Sequence, residues 1–199
     1  MTEWPVTLAE GPVRLRPLQR RDRRTWLRLR VENAAWLDPW EATAPDPLEA
    51  PAPTFGAYVA DLRREARAGR VMPFVVEHDG SVVGQLTVTG IAYGSLCSAS
   101  MGYWVARPFA GRGIAPTAVA LATDHCWFGT GLHRVEIAIR PENRPSIRVV
   151  EKLGFRDEGV RPRYLHIAGA WRDHRVFALT AEEVPGGLLS RWRAARATR

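Results

Sequence analysis

A chain of 199 residues with 46% apolar content is long enough to close one hydrophobic core. Its formal charge of +7 admits polyanionic partners, but the basic positions are spread out, with local clusters only at Arg20–Arg24 and Arg191–Arg199. That distribution describes many solvated surfaces rather than one nucleic-acid stripe, and leaves open a weak RNA or ribosome contact. Lys152 is the only lysine; arginine is the better bidentate partner for phosphate and carboxylate, although codon usage alone gives the same bias. No apolar run approaches the ~20 residues that span a bilayer, and Met-Thr-Glu-Trp-Pro-Val lacks the basic start and apolar run of a signal peptide. Cys97 and Cys126 are isolated thiols without metal-ligand spacing, which fits a reducing, cytoplasmic setting and offers no metal site.

Val13–Leu18 alternates apolar and basic residues and predicts a half-buried strand, with Pro17 marking an edge or an end. Asp22 is placed to cap a helix to about Ala35, with Trp26, Leu29 and Asn33 on one face. Residues 36–53 are rich in proline and acid and carry Trp36 and Trp40, so they predict an ordered loop. Thr54 caps a second helix through Phe55, Val59 and Leu62, closed near Gly69. Met72–Glu77 and Ser81–Thr89 flank the Asp79-Gly80 turn of a hairpin, and Leu96–Val105 is the next strand. Ile114–Phe128 has helical spacing, Arg134–Ile139 alternates as a strand, and Pro145–Leu153 is a short helix ended by Gly154. Val160–Ile167 and Trp171–Leu179 form a last hairpin about Ala168-Gly169. Residues 1–184 read as a single domain, and the basic tail from Pro185 predicts a short peripheral helix. This order describes a mixed α+β fold with a central, mostly antiparallel sheet flanked by helices.

Gly111 and Gly113 stand between a predicted strand and a predicted helix. Lacking β-carbons, they let an anion reach the backbone, and the free amides of the helix start supply donors. Most Gly-x-Gly turns are only turns. A dinucleotide fingerprint needs glycine or alanine where Pro116 stands, and the lysine of a Walker loop is absent. What extends the signal is its setting: Gly102-Tyr-Trp-Val-Ala-Arg-Pro-Phe-Ala-Gly-Arg-Gly-Ile-Ala115, followed by Pro141-Glu-Asn-Arg-Pro-Ser-Ile-Arg-Val-Val-Glu-Lys-Leu-Gly-Phe155.

Together these stretches resemble the GNAT superfamily of acetyl-CoA-dependent N-acetyltransferases, and within it the RimJ/RimL group that acetylates ribosomal-protein N-termini. Asn33-Ala-Ala-Trp-Leu-Asp-Pro-Trp-Glu41 and the hairpin Tyr164–His174 are similar to that group as well, so the likeness runs over residues 12 to 180. The resemblance implies a GNAT fold, acetyl-CoA as cosubstrate and a protein N-terminal amine as acceptor, plausibly on a ribosomal protein. It places the backbone of Tyr103, Trp104 and Val105 along the pantetheine arm. The amides of Gly111, Arg112, Gly113, Ile114 and Ala115 would lie about the pyrophosphate, with Asn143 and Ser146 near the thioester. Two positions depart from the family pattern: Ala110 replaces a glutamine or arginine, and Pro116 replaces a hydrogen-bonding residue, with Arg107 or Arg112 available as a compensating cation.

Direct attack of an amine on a thioester calls for a base and an acid. Ser146 is the candidate acid, against a plain helix-cap or cofactor contact. Glu136, on a face with Ala138, is a candidate base through water, against an ion-paired carboxylate. Glu41, beside Trp40, is a second candidate base or an ammonium binder. Trp36, Trp40 and Tyr164 are grouped as acceptor-slot residues, the tryptophans against a satellite core. Asp173-His174 invites an acid–base reading, against which the hairpin context favours a structural hydrogen bond, and Glu151 and Lys152 read as helix surface rather than cofactor clamps. Two other functions stay open: acetylation of a small amine such as an antibiotic or polyamine, and a non-catalytic RNA- or ribosome-binding factor. So does the choice between monomer and homodimer.

Overall fold

The computed structural model describes residues 4–45 and 53–197. In chain order the strands are β1 (Leu8–Glu10), β2 (Val13–Pro17), β3 (Met72–His78), β4 (Ser81–Ala92), β5 (Ser98–Val105), β6 (Arg134–Ile139), β7 (Arg156–Ile167) and β8 (Ala170–Thr180). They form one eight-stranded sheet in the order β1-β2-β3-β4-β5-β6-β8-β7. Every neighbouring pair is antiparallel except β5 with β6. The helices are α1 (Arg23–Glu32), α2 (Ala34–Leu37), α3 (Phe55–Arg67), α4 (Ile114–Asp124), α5 (Arg144–Leu153) and α6 (Leu188–Ala197).

The central strands are covered on both faces, and their sequences say so. In β3, Phe74 and Val76 enter the main core, which α4, α5 and α6 close with Ile114, Val119, Val150, Leu188 and Trp192. Val75, between them, points the other way and packs with Leu18, Phe55 and Val59. An alternating strand buried on both sides reads as a continuous apolar run, as Phe74-Val-Val76 does.

Thr54 accepts a hydrogen bond from the Ala57 amide at 3.2 Å and caps α3. Asp22 does not cap α1: its carboxylate takes both terminal nitrogens of Arg16, at 2.8 and 2.9 Å, and the Gln19 amide at 2.8 Å. A buried arginine needs paired acceptors more than a helix start needs a cap. The helix expected over 114–128 is α-helical only to Asp124 and ends in a π turn, His125–Gly129. A Cβ on Gly129 would lie 2.3 Å from His125 Nδ1, so the turn demands glycine there. β1 was not foreseen; its three residues are too few to show a period. Of the expected ordered loop, residues 46–52 lie outside those described.

The tail also corrects its expectation, since α6 is not peripheral. The Asp124 carboxylate accepts the amides of Leu188 and Leu189, at 2.6 and 3.1 Å, and so caps α6 from the end of α4. Trp192 is 5% exposed. Its indole N–H donates to Thr117 Oγ1 at 2.8 Å, and that hydroxyl donates to the Gly113 carbonyl at 2.8 Å. Trp192→Ala should therefore cost about 3–5 kcal/mol in a denaturant melt; a loss under about 0.5 kcal/mol is what a surface position would give.

Candidate active site

β5 and β6 are registered only at Ser98↔Arg134, Ala99↔Val135 and Ser100↔Glu136. Beyond that point the strands part, while β5 keeps its partner β4 as far as Val105. The Ala106 amide donates to the Val83 carbonyl on the β4 side. By antiparallel alternation the backbone groups of Val105 and Tyr103 then face the opening. One of them is already used: the Trp36 indole donates to the Val105 carbonyl at 3.1 Å.

Two cavities lie at the opening. The smaller, about 230 Å³, runs from β5 to the glycine turn and α5. Gly111 and Gly113 both have φ of +79°, a region L side chains avoid. α4 starts immediately afterwards, its first internal bond running from the Thr117 amide to the Gly113 carbonyl. Pro116 sits in the first turn, where its missing N–H would have had no helical partner, so the helix is intact. The cations that line this cavity are Arg148 and Lys152 on α5. Open amides at a helix start, glycines at positive φ and two flanking cations fit the phosphates of coenzyme A. The Arg112 side chain is turned onto the Phe109 ring, 5.4 Å away. The Arg107 side chain is exposed and its amide donates to Asn33 Oδ1. Neither side chain lines the cavity.

The larger cavity, about 770 Å³, lies on the opposite side of the opening. Its walls are aromatic, and arginines fix them. The Arg30 guanidinium stands 5.7 Å from the Trp26 ring and 5.8 Å from the Trp104 ring, and pairs with Glu41. Arg140 lies 5.5 Å from the Trp40 ring and donates to the Pro39 carbonyl at 2.8 Å. Gln85 accepts the Trp26 indole N–H at 2.7 Å and donates to the Tyr58 hydroxyl. The segment carrying Trp40 and Glu41 is stitched to the last hairpin by an Ala42↔Ile167 bridge and a Thr43 amide bond to the His166 carbonyl.

Leu37, Tyr103, Trp104, Asn143 and Ser146 line both cavities. The Tyr103 hydroxyl donates to the Ser146 carbonyl at 3.4 Å, and burial pushes its pKa up, so it stays a neutral phenol. Asn143 Oδ1 accepts the Ser146 amide at 3.2 Å and caps α5. With its amide and carbonyl both engaged, the Ser146 hydroxyl is what that residue offers the junction.

The sequence-derived candidates thus divide. Tyr103, Trp104, Asn143 and Ser146 meet at the junction; Trp40 and Glu41 line the larger cavity. Trp36 lines the smaller one, on the side opposite its expected slot. Tyr164 lines neither: it accepts from Arg161 at 3.3 Å and packs its ring 5.8 Å from His174. Glu136 is displaced most clearly. It is held by Arg134 at 2.8 Å and Arg161 at 3.0 Å, and lines neither cavity. Ala138 on the same face does reach the cleft, but β6 is still paired with β5 at Glu136. Sequence reasoning passed over Arg30, Arg140 and Arg148, and set His174 aside as structural. The signal for Arg148 and Lys152 was their spacing of four residues on one face of α5; Arg30 and Arg140 carried none.

The acetyltransferase (GNAT) domain family matches residues 13–156. RimJ of Mycobacterium smegmatis, in complex with CoA-disulfide, is 42% identical with a TM-score of 0.90, covering 98% of this chain and 97% of that one. The ribosomal protein uS5-alanine N-acetyltransferase of Escherichia coli is 28% identical over 159 residues, 78% of this chain and 81% of that protein. The probable N-acetyltransferase YjcK of Bacillus subtilis is 37% identical over 101 residues, 51% of this chain and 56% of that protein. The chain belongs to the GNAT acetyltransferase family. It is an acetyltransferase whose cosubstrate is acetyl-CoA.

Two outcomes follow from these placements. Arg148→Ala and Lys152→Ala should each raise the Kd for CoA by about two- to fivefold at low salt, measured calorimetrically, with the loss shrinking as salt rises. Glu136→Gln should keep turnover far above the ~10²-fold loss that follows removal of a base, while lowering the melting temperature by breaking its pairs with Arg134 and Arg161. The same network contains Glu158, whose carboxyl Arg134 draws down to about 2. Its contribution to stability is complete above the ordinary value of 4.5 and is lost as pH falls toward 2.

Proposed function

We propose that this protein transfers an acetyl group from acetyl-CoA to the α-amine of a protein N-terminus, and that the acceptor is a ribosomal protein. The observation that carries the reading is the shared wall of the two cavities: a cosubstrate in the smaller and an amine in the larger meet at Tyr103, Asn143 and Ser146. Its support in sequence is the likeness to a RimJ and to a uS5-alanine N-acetyltransferase. A ribosomal acceptor implies a cytoplasmic setting.

Bound acetyl-CoA supplies a thioester whose carbonyl a neutral amine attacks directly. The residues of the chain do the rest. The amides from Gly111 to Ala115, with Arg148 and Lys152, hold the phosphates; the free groups of Tyr103 and Val105 align the pantetheine arm. Glu41, paired with Arg30 and lining the larger cavity, meets the acceptor ammonium. Trp40 and Trp104 flank the first side chain of the peptide. Ser146 gives a proton to the leaving sulfur, and the buried Tyr103 phenol orients the Ser146 backbone.

The test is thiol release from acetyl-CoA against N-terminal peptides of differing first residue, with polyamines and aminoglycosides alongside. Turnover on one class of N-terminal residue is expected, and Ser146→Ala should lower kcat by about 10²-fold with the Kd for CoA unchanged. Turnover confined to small amines sinks the protein-acceptor reading. An unaltered kcat in Ser146→Ala sinks the acid assignment.

A further inference from the structure

We propose that His174 of β8 is the base that takes the proton from the acceptor amine, a reading that rests on amine acetylation at the cleft just described. His174 is 3% exposed, yet its ring lines the acceptor cavity. Its position follows from the sheet. Val176, two residues along the same face, is registered with Ala138 of β6, so His174 stands one strand behind the cleft edge. Between it and the opening are Ala138, which offers only a methyl group, and Arg140. The Arg140 guanidinium is drawn aside, to the Pro39 carbonyl at 2.8 Å, to Glu142 at 3.2 Å and over the Trp40 ring.

The ring's protonation follows from one hydrogen bond. His174 Nδ1 lies 3.0 Å from the Arg172 carbonyl oxygen. A carbonyl can only accept, so Nδ1 carries the hydrogen. The neutral ring therefore presents a bare lone pair at Nε2, as a general base requires. Among the described residues, the buried side-chain polar atoms without a partner are the Thr123 hydroxyl and the Trp127 indole N–H, not His174 Nε2. With Nδ1 turned to the backbone, Nε2 is the ring nitrogen left for the cavity that His174 lines. Tyr164 supports the ring from β7, with its centroid 5.8 Å away.

The charged groups about the imidazole have opposing effects. Burial lowers its pKa most; the Arg172 carbonyl opposes that, Arg140 adds to the lowering, and Glu142 and Asp173 oppose it. Glu41 faces the same cavity from the loop after α2. Arg161, registered opposite on β7, is committed to Glu136 and Tyr164. The ring is thus neutral at pH 7, free to accept a proton.

The step balances with these groups. The bound ammonium gives one proton to Nε2, and its nitrogen lone pair forms the C–N bond at the acetyl carbonyl. The C–S bond breaks with its electron pair on sulfur. The second amine proton leaves the nitrogen as Ser146 protonates the sulfur, and passes back to the Ser146 oxygen. The imidazolium then releases its proton to water.

The experiment compares wild type, His174→Gln and His174→Ala in kcat/KM across pH, with CoA binding measured in parallel and any amine that wild type acetylates as acceptor. The expected result is a loss of about 10²-fold or more at pH 7 with an unchanged Kd for CoA. In wild type, kcat/KM should fall off below the imidazole's pKa. In the variants that limb should vanish and the rate climb with the free amine, closing the deficit as pH passes the α-amine's own pKa of about 8. Near wild-type kcat/KM at pH 7, or a loss equal at every pH, overturns the proposal. Should both variants fail to fold, the ¹⁵N shifts of the wild-type imidazole decide it: Nδ1–H with a bare Nε2 at pH 7 supports the role, and an Nε2–H or charged ring removes it. Wild-type turnover of polyamines alone would sink the N-terminal reading and leave His174 to the same profile. No turnover with any amine would sink both.

Discussion

The parting of β5 from β6 after Ser100 and Glu136 is the constraint on which the rest of the molecule depends. These are the one parallel pair in the sheet, joined by the crossover helix α4. A strand–helix–strand crossover must bring the helix start back to the end of the first strand. Where β5 loses its partner, the chain is therefore also turning into α4. Unpaired strand groups and unpaired helix amides are each costly to bury; here they occupy neighbouring ends of one element pair. A long ligand with amides at one end and phosphates at the other can satisfy both sets at once. Gly102, which offers no side chain, keeps the floor of that opening clear.

Around the opening the walls are held by arginine on aromatic rings rather than by aliphatic packing alone. Arg30 over Trp26 and Trp104, and Arg140 near Trp40, shape the larger cavity. Arg161 over Tyr164 and Arg175 over Phe177 repeat the device on the last hairpin. A planar guanidinium can stack on a ring and still give its edge to a carboxylate or carbonyl, which an ammonium cannot do. The scarcity of lysine in the composition thus has a structural use, whatever its origin. Part of the basic charge is spent inside pairs: Arg16 with Asp22 and Glu77, Arg134 with Glu136 and Glu158, Arg156 with Glu158 and Glu183.

How much of this could be read from the sequence depends on the range of the interaction. Strands with a period, the Thr54 cap, the Asp79-Gly80 turn and the glycine turn at 111–113 are local, and each was legible from a few consecutive residues. Ser146 and Asn143 were legible because a motif fixes their spacing. Glu136 misled because alternation tells which face a residue takes but not where along a strand two partners separate. Trp36 misled in the same way: an aromatic in that loop can turn to either side of the opening, and its bond to the Val105 carbonyl turns it to the smaller cavity. His174 was set aside because a place in a hairpin suggests a structural hydrogen bond; the bond it makes, to the Arg172 carbonyl, fixes which nitrogen is bare. For α6, the count of arginines hid two apolar anchors, Leu188 and Trp192, spaced four apart on one face.

The latch from Trp192 through Thr117 to the Gly113 carbonyl ties the last helix to a turn nearly eighty residues earlier. Chains emerge from the ribosome with the N-terminal part first. The glycine turn is therefore made early but acquires its backing only when residues 188–197 are out and docked. Until then the turn lacks the backing that Trp192 and Thr117 give it. A growing copy that has not yet docked α6 therefore holds that turn less firmly than a folded one.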